Sequence, residues 1–236
     1  MSYIVGSGWW CNGTGKYQPG AKSSDRTRMP EIFDIWYDKV SRFTNPEKIV
    51  VVNSASPIVP DLSDRKDVVM IDLLDNFNTK PLLARHGAAF NANTGVSIHR
   101  TAATRQVFLS AWYALYNDVD YYVWIEQDCL IHGNVVERAI EEMKKTDADF
   151  SMGDFTTTWK ETSFIVLKTK SLPKIWEAYA NATSNRPEPR YKEMGRVLNC
   201  CMLPFGYGRN RPINWDDEFI FAQHLTDEEL DTFIAK

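Results

Sequence analysis

The 236-residue chain lacks a basic excess: 27 Lys and Arg against 31 Asp and Glu leave a net charge of −4 at pH 7. A protein that neutralises duplex phosphates or adheres to an anionic membrane carries a basic face, so the balance argues against both partners. Cysteine is scarce. Cys11, Cys129, Cys200 and Cys201 include no C-x-x-C pair, which speaks against a disulfide framework and a zinc site. A reducing, cytoplasmic setting follows as the expectation, and in it the sequons at Asn12 and Asn181 carry no glycan. No apolar run approaches the roughly 20 residues of a membrane-spanning helix. The opening MSYIVGSGWW has neither the charged nor the apolar region of a signal peptide.

Several catalytic signatures are also missing. In GSGWWCNGTGK the third glycine of a G-x-G-x-x-G would fall on Cys11. A phosphate loop ending in Gly15-Lys16 would need glycine at Trp10 and Ser or Thr at Tyr17. There is no G-x-S-x-G and no H-E-x-x-H, and His86, His99, His132 and His224 have no metal-pair spacing. P-loop NTPases, dinucleotide-binding dehydrogenases, α/β-hydrolases and zincins are disfavoured together.

What is present alternates. Strands are expected at 2–6, 48–53, 67–73, 121–125, 149–153 and 162–169. Helices are expected at 30–43 behind Pro30, 101–117, 135–145 capped by Asn134, 172–182 capped by Ser171, 186–199 and 226–234. Thr226 and Glu229 are spaced as a capping box. The stretch 203–217 reads as irregular. Such alternation predicts an α/β fold with a mixed, mainly parallel central sheet flanked by helices. Ligands of such sheets bind beyond the carboxyl ends of the strands.

One strand end is chemically conspicuous. In DYYVWIEQDCLIHG, the apolar strand 121–125 runs into Glu126-Gln127-Asp128. Strand residues two apart share a face, so Glu126 and Asp128 project together while Gln127 turns away. Two carboxylates in one small site repel unless a cation lies between them or one holds a proton. A hard divalent ion takes one or two carboxylates together with phosphate oxygens. The step therefore suits a metal-bound diphosphate.

This stretch resembles the metal-binding D-x-D region of GT-A-fold glycosyltransferases, with Glu in place of the first Asp. GWWC, VVVNSASP and TSFIVLKTKSLPKIWEAY resemble segments of the same family in order and role, so the resemblance spans roughly residues 3 to 225. It implies one catalytic domain over 1–236, with a nucleotide-binding part to about 133 and an acceptor-binding part from about 134. It implies that the nucleotide lies against Ser7, Gly8, Trp9, Asn53 and Ser54, with the base stacked on Trp9 or Trp10 or hydrogen-bonded to Asn53. Arg100 or Arg105 would meet a phosphate. Glu126, Gln127 and Asp128 would line the donor site. Asp128, Glu126 and, from the C-terminal region, His224 would ligate Mn²⁺ or Mg²⁺.

In FGYGRNRP, Arg209 and Arg211 form a cationic clamp for a leaving diphosphate, because arginine forks match phosphate oxygens. Transfer with inversion needs a general base for the acceptor hydroxyl. Glu188 is the first candidate and Asp217 the second, with Asp154 and Glu161 behind them. Phe155, Trp159 and Tyr191 are candidates to stack on an acceptor sugar. The expected activity is metal-assisted transfer of a sugar from a nucleotide-diphosphate sugar to a glycan or other hydroxyl acceptor. Two alternatives stay open. A sugar-1-phosphate nucleotidyltransferase would need an Arg- and Lys-bearing glycine loop after the first strand, which GSGWWCNGTGK does not supply. A non-catalytic sugar- or nucleotide-binding module is kept open by Glu126.

Overall fold

The computed structural model describes residues 1–13, 23–74, 98–154, 160–181, 198–207 and 212–236. A seven-stranded sheet runs through the molecule. Its strands are β1 (Tyr3–Trp9), β2 (Lys48–Asn53), β3 (Val68–Asp72), β4 (Tyr121–Ile125), β6 (Phe150–Asp154), β7 (Lys160–Lys168) and β8 (Cys200–Leu203), in the order β3-β2-β1-β4-β7-β6-β8. The first four in that order are mutually parallel, β7 runs against both its neighbours, and β6 and β8 are again parallel. The expected mixed, mainly parallel sheet is what forms.

Helices cover both faces, and the sequence shows why. Along β1, Tyr3 and Val5 face one side and Ile4 the other, and all three are buried. β4 does the same, with Val123 and Ile125 opposed to Tyr122 and Trp124. A strand apolar on both faces needs a layer on each. One layer is α1 (Ile32–Phe43) with α3 (Val135–Lys145), which contribute Phe33, Trp36, Val40, Val136 and Ile140. The other is α2 (Ile98–Tyr116) with α4 (Leu172–Asn181), which contribute Ala111, Ala114, Leu172 and Ile175.

A smaller sheet was not foreseen. β5 (Cys129–His132), β9 (Gly206–Tyr207) and β10 (Ile220–Gln223) form a three-stranded sheet in the order β5-β10-β9. It uses CLIH, directly after the acidic step, and part of the stretch read as irregular. The C-terminal α5 (Asp227–Ala235) closes the chain with the expected capping box: the Thr226 hydroxyl accepts from the Glu229 N–H, and the Glu229 carboxylate accepts from the Thr226 N–H. The cap expected at Asn134 fails, since its side chain makes no cap bond. The Ser171 hydroxyl donates to Asp149 at 2.7 Å. The expected helix at 186–199 lies almost wholly outside the described residues. No helix among the described residues is long and apolar enough to cross a membrane.

β1 is closely packed at Gly6. A Cβ there would lie 2.5 Å from the Tyr122 hydroxyl and 2.6 Å from the Ser110 hydroxyl. Those two oxygens are 2.7 Å apart in a buried hydrogen bond that ties α2 to β4, and burial pushes the Tyr122 phenol well above its ordinary pKa. Gly6→Ala overpacks this junction. It should lower stability by about 1–3 kcal/mol, read as a reduced urea midpoint at unchanged denaturant slope.

Candidate functional site

After β3 the chain returns to add β4 on the opposite edge of β1, so the strand order reverses between β1 and β4. In open α/β sheets the crevice at such a point, beyond the carboxyl ends of the strands, is where ligands bind. Trp9-Trp10 ends one strand and Glu126-Gln127-Asp128 ends the other.

Gln127 bridges the gap. Its side-chain oxygen accepts from the Trp10 N–H at 2.8 Å and its amide nitrogen donates to the Trp10 carbonyl at 3.2 Å. The side chain thus replaces a rung of the ladder where the strands part, which makes it a structural tie. A tight turn follows, in which the Cys129 N–H donates to the Glu126 carbonyl at 2.9 Å.

Glu126 and Asp128 do converge, but through the turn that follows β4 and not through strand alternation, since the strand ends at Ile125. The Gln223 side-chain nitrogen donates to a Glu126 oxygen at 2.5 Å and to Oδ1 of Asp128 at 2.7 Å. Oδ2 of Asp128 is ion-paired with the Arg28 guanidinium at 2.9 Å. Asp128 is 2% exposed, so its charge is compensated inside the protein. The step is reached from three directions: β4, the end of β10, and the short 3₁₀ turn Asp25–Arg28. Arg28 and Gln223 were not anticipated. Gln223 had a signal, since a polar residue ending the apolar run IFA mirrors Glu126 ending YYVWI.

The third expected metal ligand is different. Among the described residues no three His, Cys, Asp or Glu side chains gather as a ligand set, so His224 does not complete one with Glu126 and Asp128. β10 ends at Gln223, whose side chain enters the site, and His224 leaves the strand at φ +61°. What remains fits a divalent ion by donor type: two neighbouring carboxylates, the number Mg²⁺ or Mn²⁺ takes from protein when phosphates supply the rest, whose facing oxygens here both accept from the Gln223 amide nitrogen.

The expected nucleotide contacts divide. Trp9 is 0% exposed; its indole N–H donates to the Ile58 carbonyl at 2.7 Å and its ring packs edge-on against Phe33. It has no free face, so a base cannot stack there. The alternation of β1 carried this signal, because Trp9 shares a face with Tyr3 and Val5. Trp10 is half-buried. Ser7 is buried. Asn53 uses its amide within the protein, donating to Asp72 at 2.8 Å and accepting from the Ser56 N–H at 3.0 Å.

Gln106, on α2, was missed altogether. It is buried, and its amide nitrogen donates to Ser54 Oγ at 2.9 Å, to the Val52 carbonyl at 3.2 Å and to the Trp9 carbonyl at 3.4 Å. Gly8 makes room for it, since a Cβ at Gly8 would lie 2.2 Å from its Oε1. Arg105 is half-buried beside it. Arg100 lies in α2, and its side chain is outside the described residues, as are Glu188, Arg209, Arg211, Phe155, Trp159 and Tyr191. Asp217 is held in its own turn: one carboxylate oxygen accepts from the Tyr207 hydroxyl and the other from Asn214 at 2.7 Å.

No family model matches the chain, and no curated protein matches it. Solved structures do. A galactosyltransferase, LgtC, in complex with donor and acceptor sugar analogs, superposes with a TM-score of 0.57 at 10% identity over 99% of this chain and 95% of that one. The mannosyltransferase PcManGT from Pyrobaculum calidifontis, in complex with GDP-Man and Mn²⁺, gives 0.53 at 9% identity over 98% and 59%. S. aureus TarS 1–349 in complex with UDP gives 0.50 at 11% identity over 100% and 64%. The chain thus spans less than two thirds of the TarS and PcManGT chains it matches. The shared feature is the GT-A fold.

Gln106→Leu removes the buried donor that ties these strand ends to α2. It should cost about 1–3 kcal/mol, measured by urea unfolding.

Proposed function

We propose that this protein transfers a sugar from a nucleotide-diphosphate sugar to an acceptor hydroxyl, with inversion and with the help of Mn²⁺ or Mg²⁺. The observation that carries the reading is the convergence of Glu126 and Asp128 on one point at the carboxyl end of β4, where the strand order reverses. The fold shared with sugar transferases supports it.

Glu126 and Asp128 would hold the metal, which when bound supplies positive charge to the diphosphate as it leaves. The protein's own groups do the rest. The donor enters the crevice between β1 and β4, whose walls Gln106 and Gln127 hold in place. Arg209 and Arg211 add positive charge at the departing phosphates, which is where charge develops in the transition state. Glu188 removes the proton of the acceptor hydroxyl, with Asp217 as the second candidate. The acceptor is a glycan or another hydroxyl compound, met by the part of the chain beyond residue 134.

A thermal-shift panel of UDP, GDP, TDP, ADP and CMP, with and without Mn²⁺, tests this. One nucleoside diphosphate should raise the melting temperature only when Mn²⁺ is present. At a hundred times its dissociation constant the gain is about 2.7 kcal/mol. Asp128→Asn should remove both the shift and turnover of the matching sugar nucleotide. A metal-independent shift with no turnover would instead favour a binding module.

A further inference from the structure

The acidic step already holds a cation of the protein's own. Asp128 is nine-tenths and more buried, and a buried charge stripped of its partner is strongly destabilising. Arg28 answers it at 2.9 Å on Oδ2, while Gln223 occupies Oδ1 and the facing oxygen of Glu126.

Arg28 is delivered by a fixed support. The 3₁₀ turn that ends in Arg28 is capped by Ser24, whose hydroxyl accepts from the Arg26 N–H at 3.1 Å. Ser24 is in turn stapled to the C-terminal segment: its N–H donates to the Leu225 carbonyl at 2.6 Å and its hydroxyl to Asp227. Arg26 pairs with Asp231 at 2.6 Å. The Arg28 carbonyl accepts from Cys11 Sγ. Gln223 lies two residues before Leu225, so the two groups that contact Asp128 from outside β4 are carried by segments bonded to each other.

We infer that Arg28 is a positioning residue for Asp128: it is the resident counter-cation of that carboxylate when no metal is bound, and it competes with the divalent ion for Oδ2. This inference rests on the metal-assisted reading above for the ion that arrives. A divalent ion takes a carboxylate oxygen at about 2.0–2.1 Å, and a guanidinium on the same small group is then a like charge at close range. Loading therefore exchanges one cation for the other. In the metal-free protein Arg28 holds the buried carboxylate in place at Oδ2, ready for that exchange.

Mn²⁺ binding to the donor-free protein tests this without any turnover. Free Mn²⁺ is titrated by electron paramagnetic resonance against the wild type, Arg28→Gln, Arg28→Lys and Asp128→Asn. Removing the competitor should tighten Mn²⁺ binding by about fivefold or more. Arg28→Lys, which keeps the charge, should stay near the wild type, and Asp128→Asn should lose the site. Mn²⁺ should also raise the melting temperature of Arg28→Gln more than that of the wild type, which a purely structural role would not produce. Equal or weaker Mn²⁺ binding in Arg28→Gln overturns the proposal, and so does no binding in any variant. If Arg28→Gln does not fold, crystals of the wild type with and without Mn²⁺ decide: Arg28 must leave Asp128 in the metal-bound form, and a retained contact overturns the proposal. Donor shifts that prove independent of Mn²⁺ would defeat the transfer reading's metal, while the order of Mn²⁺ affinities would still judge Arg28 on its own.

Discussion

Two carboxylates at the end of one buried strand repel, and the surroundings of that strand are arranged to answer them. β4 lies between β1 and β7 near the middle of the sheet, so its end opens into a crevice walled by protein on both sides. Asp128 is inside that wall, where water cannot screen it. Donors must therefore come from the protein. The small second sheet meets part of this need: β5 begins at Cys129, and β10 pairs with it so that Gln223 stands opposite Cys129. That register puts one amide nitrogen between both acids. The other part is met by Arg28, held from the N-terminal side by bonds to the segment that follows Gln223.

The crevice itself is kept in shape by side-chain amides. Gln127 spans from β4 to β1, and Gln106 reaches from α2 to the ends of β1 and β2. Each stands where the strands part and adds side-chain bonds to backbone groups there. Groups held this way need little rearrangement when a ligand arrives, which is the physical content of a preorganised site.

Some features were legible in the chain and others were not, for identifiable reasons. The Thr226–Glu229 cap needs only groups three residues apart, and it forms. Asn134 has the right residue type for a cap, yet its backbone at φ −78° and ψ 56° makes no side-chain cap bond. Ser171 donates its hydroxyl to Asp149, twenty-two residues away. Trp9 was expected to face the nucleotide because of its place after a strand. Its own alternation with Tyr3 and Val5 put it instead on the face that α1 covers.

From the sequence alone follows the alternation of strands and helices, because it depends on periods of two or of 3.6 residues; the convergence of Glu126 and Asp128 was expected from the same period but is made by the turn after β4. Which donors meet those carboxylates was decided only by the tertiary structure. Arg28 and Gln223 lie 100 and 95 residues from Asp128 along the chain. No local spacing encodes such contacts; they arise when the second sheet takes its register and the C-terminal segment is stapled to the turn that carries Arg28.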